Sequence, residues 1–221
     1  MANKKTGKSK KTATDILINV VLDRSGSMES IRDTTISGFN TYLAEQAKLP
    51  GARFSLTQFD TEGIDHDYVA VPVEEVHKLS RDTFVPRGGT PLYDAVAASI
   101  NAVIAGKPKG KVVFVIITDG AENSSREYTR EQVFELVNRQ RTAGWEFVFM
   151  GANVDAYEVG TGLGVAAASA YNYAADAAGV SRAFAAVSRT TGLYRRDMLA
   201  SMDMRAGAAA DEPDSDPAST T

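Results

Sequence analysis

ILINVVL at residues 16–22 is followed directly by DRSGS at residues 23–27. A short apolar run that is rich in Ile and Val is typical of a β-strand buried on both faces of a sheet. Asp23 comes where this strand ends, and Ser25 and Ser27 lie in the turn after it. Because ligands bind at the carboxyl ends of the strands in open α/β sheets, we expect these three side chains to form part of a binding site. Their hard oxygen atoms favour Mg²⁺, Mn²⁺ or Ca²⁺ over zinc or copper.

Two further stretches have a similar context. GGTPL at residues 88–92 precedes an apolar helical pattern, so Thr90 is expected at a helix N-terminus, as either a capping residue or a metal ligand. VVFVII at residues 112–117 predicts a second buried strand, and Asp119 follows its end within TDG at residues 118–120. Each of these side chains alone could simply cap a helix or form a turn. Their convergence on one edge of a sheet favours a metal site.

Strands and helices alternate along the rest of the chain. Apolar or alternating patterns predict further strands at residues 54–59, 68–71, 145–150 and 166–171, and helical spacing predicts helices that begin near residues 28, 91, 129 and 175. Because Pro72 ends the strand at 68–71, we expect that strand at a sheet edge, in a hairpin with its predecessor. The alternation predicts an α/β fold with a doubly wound, mostly parallel sheet, one antiparallel edge strand and helices on both faces.

The five polar positions together resemble the metal-ion-dependent adhesion site (MIDAS) of von Willebrand factor A (vWA) domains, in particular the stand-alone domains of bacteria and phages. The resemblance extends over residues 15–190 and implies a Rossmann-like sheet. It also implies which side chains contact the metal directly, namely Ser25, Ser27 and Thr90, and which hold it largely through water, namely Asp23 and Asp119.

This arrangement implies a function. Because the carboxylates contact the ion through water, the ion keeps much of its positive charge and attracts a carboxylate from outside. We therefore predict a protein-binding module that is not an enzyme, in which Mg²⁺ or Mn²⁺, with Ca²⁺ as a further option, captures an Asp or Glu carboxylate of an unidentified partner protein.

Two alternatives remain open from the sequence. An Asp after the first buried strand is also how a Mg²⁺-dependent phosphohydrolase begins, with Asp23 as the nucleophile, although Ser25 stands where such an enzyme has its acid. The lysine-rich N-terminus could instead bind nucleic acid or a membrane surface. Asn153 and Asp155, after the predicted strand at 145–150, are secondary candidates that could shape the rim of the site or only form a loop.

Composition sets the limits of these hypotheses. The 221 residues permit one domain, predicted at residues 15–205, between a disordered basic arm at 1–14 and a disordered acidic tail at 206–221. The net charge is −4, with five lysines in the arm and four acids in the tail, which leaves −5 for the domain and argues against nucleic acid as its main partner. There is no cysteine, so thiolate metal sites are excluded. No apolar stretch reaches the ~20 residues of a membrane span, and no secretory signal is evident, so we expect a cytoplasmic protein.

Overall fold

The computed structural model describes residues 15–209, and within them six strands form a single sheet in the order β3-β2-β1-β4-β5-β6. The strands are β1 Ile16–Asp23, β2 Ala52–Asp60, β3 Gly63–Pro72, β4 Lys111–Thr118, β5 Trp145–Gly151 and β6 Ala170–Asn172. All neighbouring pairs are parallel except β2 and β3, which form an antiparallel hairpin at one edge. The predicted fold class is therefore confirmed. The basic arm, residues 1–14, lies outside the described residues.

Helices cover both faces of the sheet. They are α1 Arg32–Ala47, α2 Leu92–Ala105, α3 Arg130–Thr142, α4 Ala156–Gly162, α5 Ala177–Arg195 and α6 Met204–Ala208. The predicted capping box opens α3, where Thr129 and Gln132 exchange side-chain and backbone hydrogen bonds. None of the helices in residues 15–209 has the length and apolarity that a membrane span requires.

The position of β1 in the sheet explains why its sequence before Asp23 is apolar at every position except Asn19. Ile18 and Val20 face a core formed with α1 and α5, whereas Leu17 and Val21 face a second core formed with α2 and α3. Because successive side chains of a strand point to opposite faces, a strand between two helical layers needs apolar residues at nearly every position. The position of β1 in the middle of the sheet places the DRSGS turn at the centre of its carboxyl edge.

A short 3-10 helix, Gly26–Ile31, separates β1 from α1. The apolar pattern that begins at Met28 predicts an α-helix from that point, but the α-helix begins only at Arg32. The buried residues of the pattern are the same, since Met28 and Ile31 lie in the core. The tighter 3-10 geometry lets the turn that carries the serines end in a helix without moving these anchors.

The packing of α5 against α1 closes one face. Arg195, at the end of α5, is buried and donates from Nη1 to the Gln46 carbonyl oxygen at 2.6 Å and from Nη2 to the Leu49 carbonyl oxygen at 2.7 Å. Gln46 lies in the last turn of α1, whose final carbonyl groups have no partner within the helix, and Leu49 lies in the turn directly after it. A single guanidinium thus ties together two helices that are far apart in sequence.

The last described helix, α6, crosses the predicted boundary between the domain and its tail. The sequence places the start of a disordered tail at residue 206, but α6 continues to Ala208. Its Met204 is buried, and a Cβ on Gly207 would lie 2.3 Å from the Ala186 carbonyl oxygen of α5. The helix is formed because it packs closely on α5, which composition alone does not reveal. Residues 210–221 of the predicted tail lie outside the described residues.

Candidate metal centre

Asp23 is the last residue of β1 and is completely buried. Its Oδ1 accepts the backbone N–H of Ser25 at 2.7 Å, and its Oδ2 accepts the hydroxyl of Thr118 at 2.6 Å. Burial raises the pKa of Asp23 to about 6, although the hydrogen bonds from Thr118 and Ser25 act in the opposite direction. The carboxylate therefore joins the DRSGS turn to the end of the neighbouring strand β4.

Three further oxygen atoms form a chain beside Asp23. The Ser25 and Ser27 hydroxyl oxygens are 3.1 Å apart, and the Ser27 hydroxyl donates to Asp119 Oδ1 at 2.6 Å. Asp119 Oδ2 is buried and has no hydrogen-bond partner. Burial raises the pKa of Asp119, and the hydrogen bond from Ser27 partly offsets this rise. The side chain of Ser25 makes no capping bond to the 3-10 helix that follows it, so the capping alternative does not apply to this serine.

Thr90 approaches the same place from a third segment. A Cβ on Gly120 would lie 3.6 Å from both the Thr90 and the Ser27 hydroxyl oxygens, so these two hydroxyls flank one point. The cap of α2 is Pro91, without a side-chain capping bond, so Thr90 is not the helix cap. The structure thus brings all five predicted residues together at the carboxyl edge of the sheet, and their binding of a metal stays a prediction.

The donor set fits a hard divalent cation. It consists of three hydroxyl oxygens and two carboxylates, and oxygen ligands are what Mg²⁺ and Mn²⁺ prefer. Over residues 15–209, no cluster of three or more His, Cys, Asp or Glu side chains could hold a metal in another way. The unpaired Asp119 Oδ2 is the atom that most needs a cation or a cation-bound water, because a buried oxygen without a partner costs about 1–3 kcal/mol.

Several residues that support the site are not evident from the sequence. Asn123 Oδ1 accepts the backbone N–H of Thr90 at 2.9 Å, and the Asn123 N–H donates to the Thr90 carbonyl oxygen at 3.1 Å. The hydroxyl of Tyr173 donates to the Thr118 carbonyl oxygen at 3.0 Å. In the sequence, Thr118 resembles the other β-branched residues of its strand. The partners of Asn123 and Tyr173 are distant in the chain, so no local pattern identifies these two residues.

The two secondary candidates have different outcomes. Asp155 caps α4 by accepting the backbone N–H groups of Tyr157 and Glu158 at 2.9 and 3.1 Å, so it has the loop role. Asn153 has a left-handed backbone, with φ of 55°, and its side-chain amide donates to the Asp119 carbonyl oxygen at 3.2 Å. Asn153 therefore lies beside the site and holds the backbone of Asp119.

The chain matches a known protein family. The family described as "VWA domain containing CoxE-like protein" matches residues 6–176 of the chain. No curated protein has a matching sequence.

Several solved structures share the fold at low identity. The vWF domain of the type V pili tip protein Mfa5 from Porphyromonas gingivalis has a TM-score of 0.63 at 9% identity, over 82% of this chain and 96% of that one. Proximal thread matrix protein 1 from the mussel byssus, solved with a zinc-occupied MIDAS motif, has a TM-score of 0.62 at 13% identity, over 81% of this chain and 46% of that one. The PilB minor pilin of Streptococcus sanguinis has a TM-score of 0.59 at 11% identity, over 92% and 64%. The chain thus spans about half the length of the byssus protein and less than two thirds of the pilin.

Proposed function

The chain belongs to the family of VWA-domain-containing CoxE-like proteins, and from that premise we propose that it is a metal-dependent protein-interaction module. The three hydroxyls and, through water, the two carboxylates of the candidate centre would hold Mg²⁺ or Mn²⁺. When bound, the ion would supply the positive charge that binds a carboxylate oxygen from an Asp or Glu side chain of a partner protein.

The Asp119 carboxylate carries this proposal. One of its oxygens accepts the Ser27 hydroxyl, and the other is buried without a partner. A cation that binds the Ser27 oxygen would bring its water molecules within reach of this unpaired oxygen. The proposed direct ligands, Ser25, Ser27 and Thr90, are neutral hydroxyls. The ion would therefore keep enough positive charge to bind an external carboxylate.

The identity of the metal is a separate part of the proposal. Hydroxyl and carboxylate oxygens favour Mg²⁺ and Mn²⁺, and cellular availability adds to that preference. The byssus protein nevertheless holds zinc in a MIDAS motif, so zinc belongs in any direct comparison.

Calorimetric titration of Mg²⁺, Mn²⁺ and Zn²⁺ tests the centre. We expect one-site saturation in the wild-type protein and no binding heat in the double variant Ser25→Ala/Ser27→Ala. The matched control is Ser37→Ala, an exposed serine of α1 away from the centre, which should bind like the wild type. Equal heats in the double variant and the wild type would refute the assignment of these serines.

The phosphohydrolase alternative fits the geometry less well. A nucleophilic carboxylate must reach its substrate, but Asp23 is completely buried and both of its oxygens accept hydrogen bonds. We therefore expect no Mg²⁺-dependent release of phosphate from p-nitrophenyl phosphate. Turnover that is lost in Asp23→Asn would restore the enzyme hypothesis.

A further inference from the structure

The loop at residues 84–90, which carries Thr90, is fastened to the DRSGS turn. The Gly26 N–H donates to the Gly88 carbonyl oxygen at 3.0 Å, and the Arg87 N–H donates to the Arg24 carbonyl oxygen at 2.9 Å. Gly88 has a φ of +63°, and a Cβ there would collide with the Thr61 side chain. This loop therefore holds a fixed position, and Arg87 lies on the rim of the candidate centre.

Asp60, at the end of β2, anchors the side chain of Arg87. Its Oδ2 accepts Arg24 Nε at 2.7 Å and Arg87 Nε at 3.0 Å. Its Oδ1 accepts the backbone N–H groups of Glu62 and Gly63 at 2.6 and 3.2 Å. The Asp60 side chain is completely buried and its hydrogen-bonding capacity is used, so it holds the Arg87 guanidinium by one edge only.

Arg24 and Arg87 differ in how many of their guanidinium donors are already paired. Arg24 is buried and also donates from Nη2 to Asp65 at 2.7 Å. The Arg87 side chain is 48% exposed, and neither of its Nη groups bonds to any residue between 15 and 209. A guanidinium that is oriented through Nε and open at both Nη groups offers a planar fork of donors, which matches the geometry of a carboxylate.

We propose that Arg87 binds a second carboxylate of the partner, so that the segment recognised by this domain carries two acidic residues. One acid binds the metal and the other binds the Nη groups of Arg87. This inference rests on the proposed function and adds to it the chemistry of the partner.

The neighbouring loop, residues 120–126, which lies against Gly89, does not offer an equivalent donor. The Glu122 carboxylate there is engaged by the backbone N–H groups of Tyr93, Ser124 and Ser125. Arg126 is exposed in the same loop, but no ion pair within the described residues fixes its side chain. An unanchored arginine loses more side-chain entropy on binding, so Arg87 is the better-prepared donor.

Synthetic acidic peptides test the inference. The probes are blocked Gly/Ser peptides that carry one Glu, or two Glu separated by zero to four residues, measured by fluorescence polarisation at saturating Mg²⁺. In the wild type we expect the best two-Glu peptide to bind roughly fivefold more tightly than the one-Glu peptide, the upper range for an exposed ion pair. In Arg87→Gln this ratio should fall to about one.

Two control variants make the outcome specific. Arg53→Gln makes the same charge change at the opposite end of β2 and should keep the ratio of the wild type. Arg126→Gln should keep it as well. A loss in Arg126→Gln instead of Arg87→Gln would overturn the assignment to Arg87.

The two proposals fail in different ways. If the one-Glu peptide binds in a Mg²⁺-dependent manner and the second Glu adds nothing at any spacing, the inference is wrong and the proposed function stands. If no peptide responds to Mg²⁺ or to chelator, the proposed function is wrong and the inference falls with it.

Discussion

Asp23 is the more deeply buried of the two carboxylates of the candidate centre, and burial raises its pKa to about 6. In the metal-free protein its neutral form is favoured between the ordinary value of 3.8 and about 6, so this group destabilises the fold as the pH rises through that window. A bound cation reverses the preference, because it favours the ionised carboxylate. Protons and metal therefore compete at Asp23.

We predict that Mg²⁺ affinity falls as the pH is lowered through about 6, by about tenfold per pH unit for one competing proton. Calorimetric titrations between pH 5 and pH 8 measure this dependence. In Asp23→Asn the remaining dependence should be shallower, because only Asp119 still titrates. A wild-type affinity that is constant across the range would contradict the prediction.

Asn123 supports Thr90 by pairing with both its N–H and its carbonyl oxygen. We predict that Asn123→Ala weakens Mg²⁺ binding about tenfold, since loss of a residue that orients a metal ligand commonly costs 10–100-fold in affinity. The matched control is Asn101→Ala, an exposed asparagine of α2 that bonds to the Tyr128 hydroxyl. A fall in Tm with an unchanged Mg²⁺ affinity would instead indicate a structural role for Asn123.

Between elements, the contact of α1 with α5 depends on a glycine. A Cβ on Gly38, in the middle of α1, would lie 2.3 Å from Cδ2 of Phe184 in α5. Exchange of glycine for alanine within a helix ordinarily stabilises it by about 1 kcal/mol. Phe184 is buried, so its ring has little room to move away, and overpacking costs about 1–3 kcal/mol.

The collision should therefore outweigh the gain in helix propensity. We predict that Gly38→Ala lowers the free energy of unfolding by up to about 2 kcal/mol in urea denaturation. Gly162→Ala is the control, because a Cβ at the end of α4 would meet only ordinary contacts with Arg130 at 3.8 Å. Stabilisation in both variants would show that Phe184 is free to shift.

Most of the strands and helices can be predicted from the sequence. The apolar run of β1, which only Asn19 interrupts, and that of β4 predict buried central strands because both faces of each strand are covered by helices. The capping box at Thr129 predicts the start of α3 from two side chains alone. The α6 helix could not be predicted, because its Ala and Gly composition gives no apolar period and its stability comes from close contact with α5.

The sequence predicts only part of the candidate centre. The spacing of the DRSGS turn places two hydroxyls near one carboxylate, and the strand ends bring Thr90 and Asp119 to the same edge. The roles of Asn123 and Arg87 depend on contacts between segments that no local pattern records. Anchoring and orientation are properties of the folded chain, whereas the types of ligand atom are properties of the sequence.

Across the whole molecule, the candidate centre connects three distant segments: the turn after β1, the loop before α2 and the end of β4. Ser27 and Asp119, whose side chains bond directly, are separated by 92 positions in the chain. Such a junction does not exist in the unfolded chain, so a metal that binds here binds the folded state alone. Metal binding must then stabilise the entire domain.

We predict that Mg²⁺ at 100 times its Kd stabilises the protein by about 2.7 kcal/mol. For a chain of this size, that corresponds to a rise of roughly 5–10 °C in Tm, measured by differential scanning calorimetry. Excess chelator should return the Tm to its metal-free value, and Ser25→Ala/Ser27→Ala should show no rise. An equal rise in the double variant would place the stabilising ion elsewhere in the molecule. A rise confined to the wild type would instead show that the stabilising ion binds through the serines of the DRSGS turn, because an ion bound elsewhere would raise the Tm of both proteins.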